Sequence, residues 1–342
     1  MMNKRVRILS ACALALAVTI SGLTLPGAYA ADAVDTGETC SIEFNLACNV
    51  EQGTKVGNEP TFLDELKAAE ETINLYKVAD IAATGKYTAV AGFESLGLES
   101  VNSETNDWAD KAKTAKDIVK TKNMSATRTA TIGKGQTTTT VGELATGMYL
   151  IVPEDVESPN FKYSFNASLI SLPNNYYDPT KTGSSDAWVY NLTGTNAVGL
   201  KPDRQERKGS LEIIKSLASY NATSGGATFV FNVRVEKLDG TTVTNNVYKI
   251  AFDGPGDNKK YVVENLPAGA KVTVTEVYSG ANYSLTPTSA NEQETFIVAD
   301  AAVSVNFINE HNGGQNGGSG IVNNFYKNGE TIGVNAEGGA EK

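Results

Sequence analysis

A single histidine, His311, occurs in 342 residues, and it sits in the Gly/Asn-rich stretch "EHNGGQNGG". Without a second imidazole, multi-histidine metal sites are excluded. No base stands ready for a Ser-His or Cys-His nucleophile. Catalysis on an external substrate is therefore disfavoured, and neither a cofactor nor a metal is expected. Cysteine is nearly as scarce, at three residues. Beyond residues 1–30 there is no long apolar run, so no membrane-spanning segment is expected in the remainder.

Those first residues have an order of their own. Lys4, Arg5 and Arg7 precede "ILSACALALAVTISGLTL" and then the small-residue site "AYA". This reads as a secretory signal peptide, residues 1–30, cleaved after Ala30. The mature chain is then extracellular. Removing the three basic residues of the leader takes Lys+Arg from 29 to 26 against 39 Asp+Glu, a net charge of −13. Such a surface repels phosphate backbones, so nucleic acid is excluded as a partner.

Cys12 leaves with the leader, and secretion permits the remaining Cys40 and Cys48 to form a disulfide. In "CSIEFNLAC" the two share a strand parity with Ile42, Phe44 and Leu46. As one extended strand they would lie roughly 26 Å apart, at about 3.3 Å per residue. A disulfide needs Cα atoms within about 7 Å. They pair only if the segment turns back.

What is abundant is Val, Thr, Tyr and Phe in short alternating runs, broken by Gly, Asn, Pro and Asp. The pattern is that of antiparallel sandwiches. Two segments read as helix. "TFLDELKAAEET" follows Pro60, with Thr61 as cap and Asp64 or Glu65 closing back on it. "NDWADKAKTAKDIVKTK" puts Trp108, Ala112, Ala115 and Val119 on one stripe. Strands are expected in "TINLYKVADI", "KYTAVAGF", "GMYLIVPE", "YSFNASLISLP" and "DAWVYNL". A break falls at "KPDRQERKG", residues 201–209. The expected organisation is a first β-rich domain at 31–203, a second at 208–312, and a Gly/Asn-rich linker and tail at 313–342, in which "IVNNFY" could be one more strand.

An internal echo links the halves. "ELATGMYLIVPE" (143–154) and "NLPAGAKVTVTE" (265–276) share Leu-x-x-Gly and a following strand that ends in Glu at equal spacing. Equal spacings within two β-rich units favour a duplicated sandwich.

Strand parity in the second half gives a sharper feature. Leu211, Ile213, Lys215 and Leu217 share one face; so do Val272, Val274 and Glu276; so do Val303, Val305, Phe307 and Asn309. Three apolar rows thus carry an amine, a carboxyl and a carboxamide. Each alone would be costly to bury, and together they suggest one shared site. A Lys-Glu ion pair would account for two of the three. An intramolecular amide accounts for all. Burial lowers the lysine pKa and raises the glutamate pKa. The neutral amine of Lys215 attacks the Asn309 carbonyl, polarised by a protonated Glu276, and ammonia leaves.

The stretches "GSLEIIKS", "FVFNVRVEKLDG", "YVVENLPAGAKVTVTEV" and "VSVNFINEH" resemble a Cna protein B-type (CnaB) domain of Gram-positive surface proteins. The resemblance covers about residues 208–310 and implies the same roles: Lys215 and Asn309 as the cross-linked pair and Glu276 as catalyst. In the first half, "INLYKVADI", "GKYTAVAGF", "GMYLIVPE", "LISLP" and "WVYNLTGTNAVGLKP" resemble the N-terminal domain of Gram-positive pilin subunits. That likeness implies a sortase acceptor lysine, which falls on Lys201, and with it a sortase and other pilin subunits as partners. The match departs from the family motif in the extra residues between Trp188 and Lys201 and in the Gly-Leu before the lysine. The first domain's opening strand has no lysine, so no equivalent amide bond is expected to start there; Lys77 reads as solvent-facing, and Glu154 as an inherited position without the chemistry. The chain ends "GVNAEGGAEK", without a Leu-Pro-x-Thr-Gly signal, and the Gly/Asn-rich junction at 312–320 reads as an interior linker, so truncation is the expectation.

The expected fold is mainly β: two tandem Ig-like/CnaB-type β-sandwich domains, the first with inserted helices. The expected function is an extracellular structural or adhesive subunit at the cell surface or cell wall. It is not an enzyme, apart from a self-directed isopeptide bond. The competing reading is an adhesin whose first domain binds a host matrix protein or glycan. Asp253 and Asp257 in "AFDGPGDNKK" read as a polar hairpin loop rather than as a calcium or catalytic pair.

Overall fold

The computed structural model describes residues 33–47, 61–98, 108–175, 187–222, 226–255, 258–314, 321–328 and 331–338. Residues 1–30, read above as a leader, lie outside them with the expected cleavage site, and so do Cys48 and Asp257, and with them the Cys40–Cys48 pairing and the Asp253–Asp257 pair. The described residues divide into two compact units between Gln205 and Glu206, apart from a short exchange at 159–161. Both units are β-rich.

The strands of the first are β1 (Thr39–Asn45), β2 (Glu71–Ile81), β3 (Tyr87–Ala89), β4 (Arg128–Ile132), β5 (Thr138–Ala145), β6 (Gly147–Pro153), β7 (Val156–Glu157), β8 (Phe161–Phe165), β9 (Ser168–Leu172), β10 (Asn174–Asn175), β11 (Trp188–Val189), β12 (Asn191–Leu192), β13 (Val198–Gly199) and β14 (Pro202–Glu206). Two helices accompany them, α1 (Phe62–Lys67) and α2 (Trp108–Lys122). One sheet runs β12-β1-β13 with β5 also on β1; a larger one runs β3-β2-β6-β9 with β4 on β2; β14-β8-β7 and the pair β10-β11 form two smaller ones. Segment 201–209, expected as an open break, is largely strand: β14 occupies 202–206.

Strand β6 is apolar at almost every position because both its faces are covered. Met148 and Leu150 pack in one cluster with Ala112 and Ala115 of α2. Tyr149 and Ile151 point the other way and are also buried. Gly147 opens the strand at φ 152, and a Cβ there would meet the Ala79 carbonyl at 2.4 Å. The expected cap of α1 is present, with Thr61 Oγ1 accepting from Asp64 N and Asp64 Oδ2 accepting from Thr61 N. The helix stops at Lys67 rather than running on through Thr72, because Glu71 and Thr72 are taken into β2, opposite Ile132 and Thr131 of β4. The segment from Cys40 is not one strand through Cys48 either. It ends at Asn45, whose Oδ1 accepts from Ala47 N at 2.8 Å, an Asx turn. Burial, then Glu38, pushes the Cys40 thiol up to about 11.

The second unit contains β15 (Lys208–Leu217), β16 (Ala227–Glu236), β17 (Thr242–Phe252), β18 (Lys259–Pro267), β19 (Lys271–Tyr278), β20 (Tyr283–Leu285), β21 (Glu292–Phe296) and β22 (Ala302–His311). They form two four-stranded sheets, β18-β15-β22-β20 and β17-β16-β19-β21. The inner faces meet in one core: Leu211, Ile213, Val305 and Phe307 from the first sheet, and Phe229, Phe231, Val233, Val272 and Val274 from the second. First and last strands, β15 and β22, are direct neighbours and run parallel. Gly209, the second residue of β15, stands where no side chain fits: a Cβ would meet the Val298 carbonyl at 2.1 Å. Further on, β23 (Ile321–Asn328) and β24 (Thr331–Gly338) pair as an antiparallel hairpin where the sequence pointed to a single strand in a tail. No helix among the described residues is long and apolar enough to cross a membrane.

One buried group in the first unit stands outside these patterns. Glu71 is 2 % exposed, and neither carboxyl oxygen has a hydrogen-bond partner. Burial first, then the charges of Glu154 and Asp155, push its pKa from the ordinary 4.5 up to about 8. An acid whose folded value is raised contributes stability that is full below its unfolded value and is lost as pH rises through the folded one. Melting of the full chain should therefore weaken between pH 4.5 and about 8, and Glu71→Gln should flatten that decline. Equal pH dependence in wild type and variant would rule this out.

Candidate functional site

The three polar residues singled out by strand parity converge inside the second unit. Lys215 and Asn309 are each 0 % exposed, and Glu276 is 5 % exposed. In the β15–β22 ladder Lys215 lies opposite Phe307, and Leu217 lies opposite Asn309. The two side chains thus meet on a diagonal of the inner face. Lys215 Nζ donates to Asn309 Oδ1 at 2.7 Å. It also donates to the carbonyls of Ser216, at 2.9 Å, and Phe307, at 3.2 Å. The Phe229 ring lies under it, with the centroid 4.4 Å away.

Glu276 reaches the pair from the opposite sheet. Its Oε1 accepts from Asn309 Nδ2 at 2.6 Å, and its Oε2 lies 4.0 Å from Lys215 Nζ. The carboxyl thus sits on the amide nitrogen and not on the carbonyl oxygen that the sequence reading had it polarise. An irregularity in the ladder aims it. Phe231 pairs with Glu276 but Val230 pairs with Tyr278, so Val277 is an extra residue, a bulge directly after the carboxylate.

The electrostatics follow from the dryness of the place. Burial pulls the Lys215 amine down to about 8, against an opposing pull from Glu276. Burial likewise raises Glu276, opposed by its bond to Asn309 and by Lys215. Both shifts favour the uncharged forms. An uncharged amine beside an amide carbonyl is a nucleophile in position, and a protonated carboxyl on the amide nitrogen is an acid in position.

Two contributors have no signature in the sequence. Phe229 is one of many core aromatics, and nothing local marks it as the ring under the amine. Gln293, on β21, bonds both backbone groups of Asn306 across the sandwich: Nε2 donates to its carbonyl at 2.6 Å, and Oε1 accepts from its N–H at 3.2 Å. A side chain thus closes the edge of β22 where no strand does.

Other singled-out residues lie elsewhere. Lys201 is exposed, between buried Leu200 and the start of β14. Lys77 is partly buried and pairs with Asp80 at 2.6 Å. Glu154, the counterpart of Glu276 in the echo, is exposed and accepts from Asn74 Nδ2 at 2.8 Å. The echo extends to the backbone, since Glu143 and Asn265 both take positive φ, 54 and 60. Among the described residues, no group of three His, Cys, Asp or Glu could hold a metal ion.

Residues 211–312 match the model of a domain of unknown function, DUF5979. No protein of curated function matches the sequence. Solved structures similar to the chain include the minor pilin GBS52 of Streptococcus agalactiae, at 13 % identity over 80 % of this chain and 95 % of that one, with a TM-score of 0.23. The full-length major pilin SpaD of Corynebacterium diphtheriae matches at 12 % identity over 82 % and 99 %, with a TM-score of 0.22. A C-terminal fragment of the pilus adhesin SpaC of Lactobacillus rhamnosus GG matches at 11 % over 80 % and 98 %, with a TM-score of 0.22.

The packing around Lys215 sets an expectation of its own. In Lys215→Ala the core keeps a buried carboxyl and amide and gains a cavity. Lys215→Met keeps the stem against Phe229 and loses only the amine. Neither variant can form a bond, so the two compare directly. Urea denaturation should find the methionine variant more stable by about 2 kcal/mol. Equal stability would mean that the site collapses around the gap.

Proposed function

We propose that the chain is an extracellular, pilin-like structural subunit, and that its second unit is locked by an amide bond between Lys215 and Asn309. The observation that carries the reading is the contact of a fully buried lysine amine with an asparagine amide, 2.7 Å from Nζ to Oδ1, with Glu276 on the amide nitrogen. The uncharged Lys215 amine attacks Asn309 Cγ. The Cγ–Nδ2 bond breaks as Glu276 gives its proton to the departing nitrogen. The new amide gives up a proton to Glu276, and ammonia leaves. The acid is regenerated, but the lysine and asparagine are consumed, so the reaction happens once.

The likeness of the sequence to CnaB-type and pilin N-terminal domains supports the same reading. Under it, the leader directs export, a sortase joins subunits through Lys201, and the assembly is displayed on the cell surface. Lys201 is exposed and free of the core, as an acceptor must be.

Intact mass of the purified protein tests the bond. Wild type should be lighter than its sequence by one ammonia, and Lys215→Ala and Glu276→Ala should not lose it through this site. A wild-type mass with no deficit would overturn the proposal. For assembly, incubation with a sortase and a labelled peptide that carries a Leu-Pro-x-Thr-Gly signal should attach the label to the protein, and Lys201→Ala should abolish it. Label that persists in the variant would assign the acceptor role to another lysine.

A further inference from the structure

Three residues beyond Asn309 there is a second asparagine with the opposite surroundings. Asn312 is exposed, follows the end of β22 and precedes Gly313 and Gly314. Its environment contains the parts of an acyl-transfer site. Gly313 N–H points at His311 Nδ1, at 3.2 Å. Gly314 N–H donates to Asn312 Oδ1 at 2.9 Å. Asn312 Nδ2 donates to the Ala281 carbonyl at 3.3 Å, and Asn312 N donates to the Asn282 carbonyl at 3.0 Å.

The imidazole is held in place. Its ring stands edge-on to Tyr283, with centroids 5.9 Å apart, and its Nε2 is 2.9 Å from the side-chain amide of Asn221. The amide orientation of Asn221 and the tautomer of His311 are linked choices. The atom facing Nε2 is Asn221 Nδ2; a neutral imidazole cannot accept there and from Gly313 as well, so the Gly313 contact requires the Asn221 amide to be turned over, with its oxygen accepting from Nε2–H and Nδ1 unprotonated. Gly313 itself is unobstructed, with nothing within 4 Å of where a Cβ would stand.

The geometry points to Asn312–Gly313 as a site of self-catalysed modification: succinimide formation, then hydrolysis to aspartate and isoaspartate, with His311 as the base. The Gly313 nitrogen bonds to Asn312 Cγ. Its proton passes to His311 Nδ1. The developing charge on Oδ1 is met by Gly314 N–H. The Cγ–Nδ2 bond breaks, the proton moves to the leaving nitrogen, and ammonia departs. Water then opens the ring at either carbonyl. The product carries a new negative charge and, as isoaspartate, an extra backbone methylene, just after the strand that bears Asn309.

This inference is independent of the Lys215–Asn309 bond, and one experiment separates the two. The full-length protein and Lys215→Ala are incubated at 37 °C and neutral pH, and peptides are mapped by mass with aspartate and isoaspartate resolved. Acid should accumulate at Asn312 in both proteins, with isoaspartate present. His311→Gln should slow it by about a hundredfold, the low end of general-base catalysis. If His311→Gln melts unlike the wild type, Gly314→Pro, which deletes the N–H facing Oδ1, replaces it and should slow the reaction as well. An Asn312 amide that stays intact would overturn the proposal, and so would an unchanged rate in the folded variant. A missing ammonia at Asn309 with an intact Asn312 would uphold only the cross-link.

Discussion

The second unit is organised by an amine that cannot reach water. Lys215 has no exposure, and its Nζ contacts only two backbone carbonyls, an amide oxygen, an aromatic face and a carboxyl 4.0 Å away. An ammonium there would cost several kcal/mol in lost hydration even after relaxation. The environment therefore disfavours the charged amine, and the charged carboxylate on Glu276 opposite it. The features that keep the place dry are the ordinary ones of a sandwich: Phe229, Phe231 and Phe307 fill the layer between the sheets. The β22 edge, where water would otherwise enter, is covered by the short β20 and by the Gln293 side chain.

Topology gives that chemistry its mechanical sense. β15 and β22 begin and end the domain, lie side by side and run parallel. A covalent link between Lys215 and Asn309, 94 positions apart, would let tension enter on one strand and leave on the other without passing through the strands between. Such a bond would need no turnover to be useful.

The first unit shows how little of this survives when one partner is missing. The echo is preserved in spacing, in the buried Leu144 and Leu266, and in the positive φ of Glu143 and Asn265. Yet Glu154 faces solvent, and the buried core positions of β1 are Cys40, Ile42 and Phe44, with no amine among them. The buried carboxyls in this unit are different ones: Glu65, which accepts from Ser158 Oγ, and Glu71, whose oxygens have no hydrogen-bond partner. Burial raises the pKa of Glu71 and of Glu276 alike, but of the two only Glu276 is hydrogen-bonded to an amide.

Period-two patterning was enough to place Lys215, Glu276 and Asn309 on inward faces, because alternation is set by each strand's own backbone. The stripe of α2 and the cap of α1 were legible for the same reason: both depend on contacts within a few residues. Strand limits were less legible, as at α1 and β1, where Glu71 is drawn into a ladder with β4 and an Asx turn ends the run at Asn45. Which strands become neighbours lay beyond local pattern altogether. The parallel pairing of β15 with β22, the diagonal that brings Nζ to Oδ1, the bulge at Val277 that aims Glu276 at the amide nitrogen and the ring of Phe229 beneath the amine all depend on long-range packing of two sheets. The sequence by itself determined which groups would be buried, and tertiary structure alone decided which of their atoms would touch, since burial follows from one strand's periodicity while contact requires the register of several.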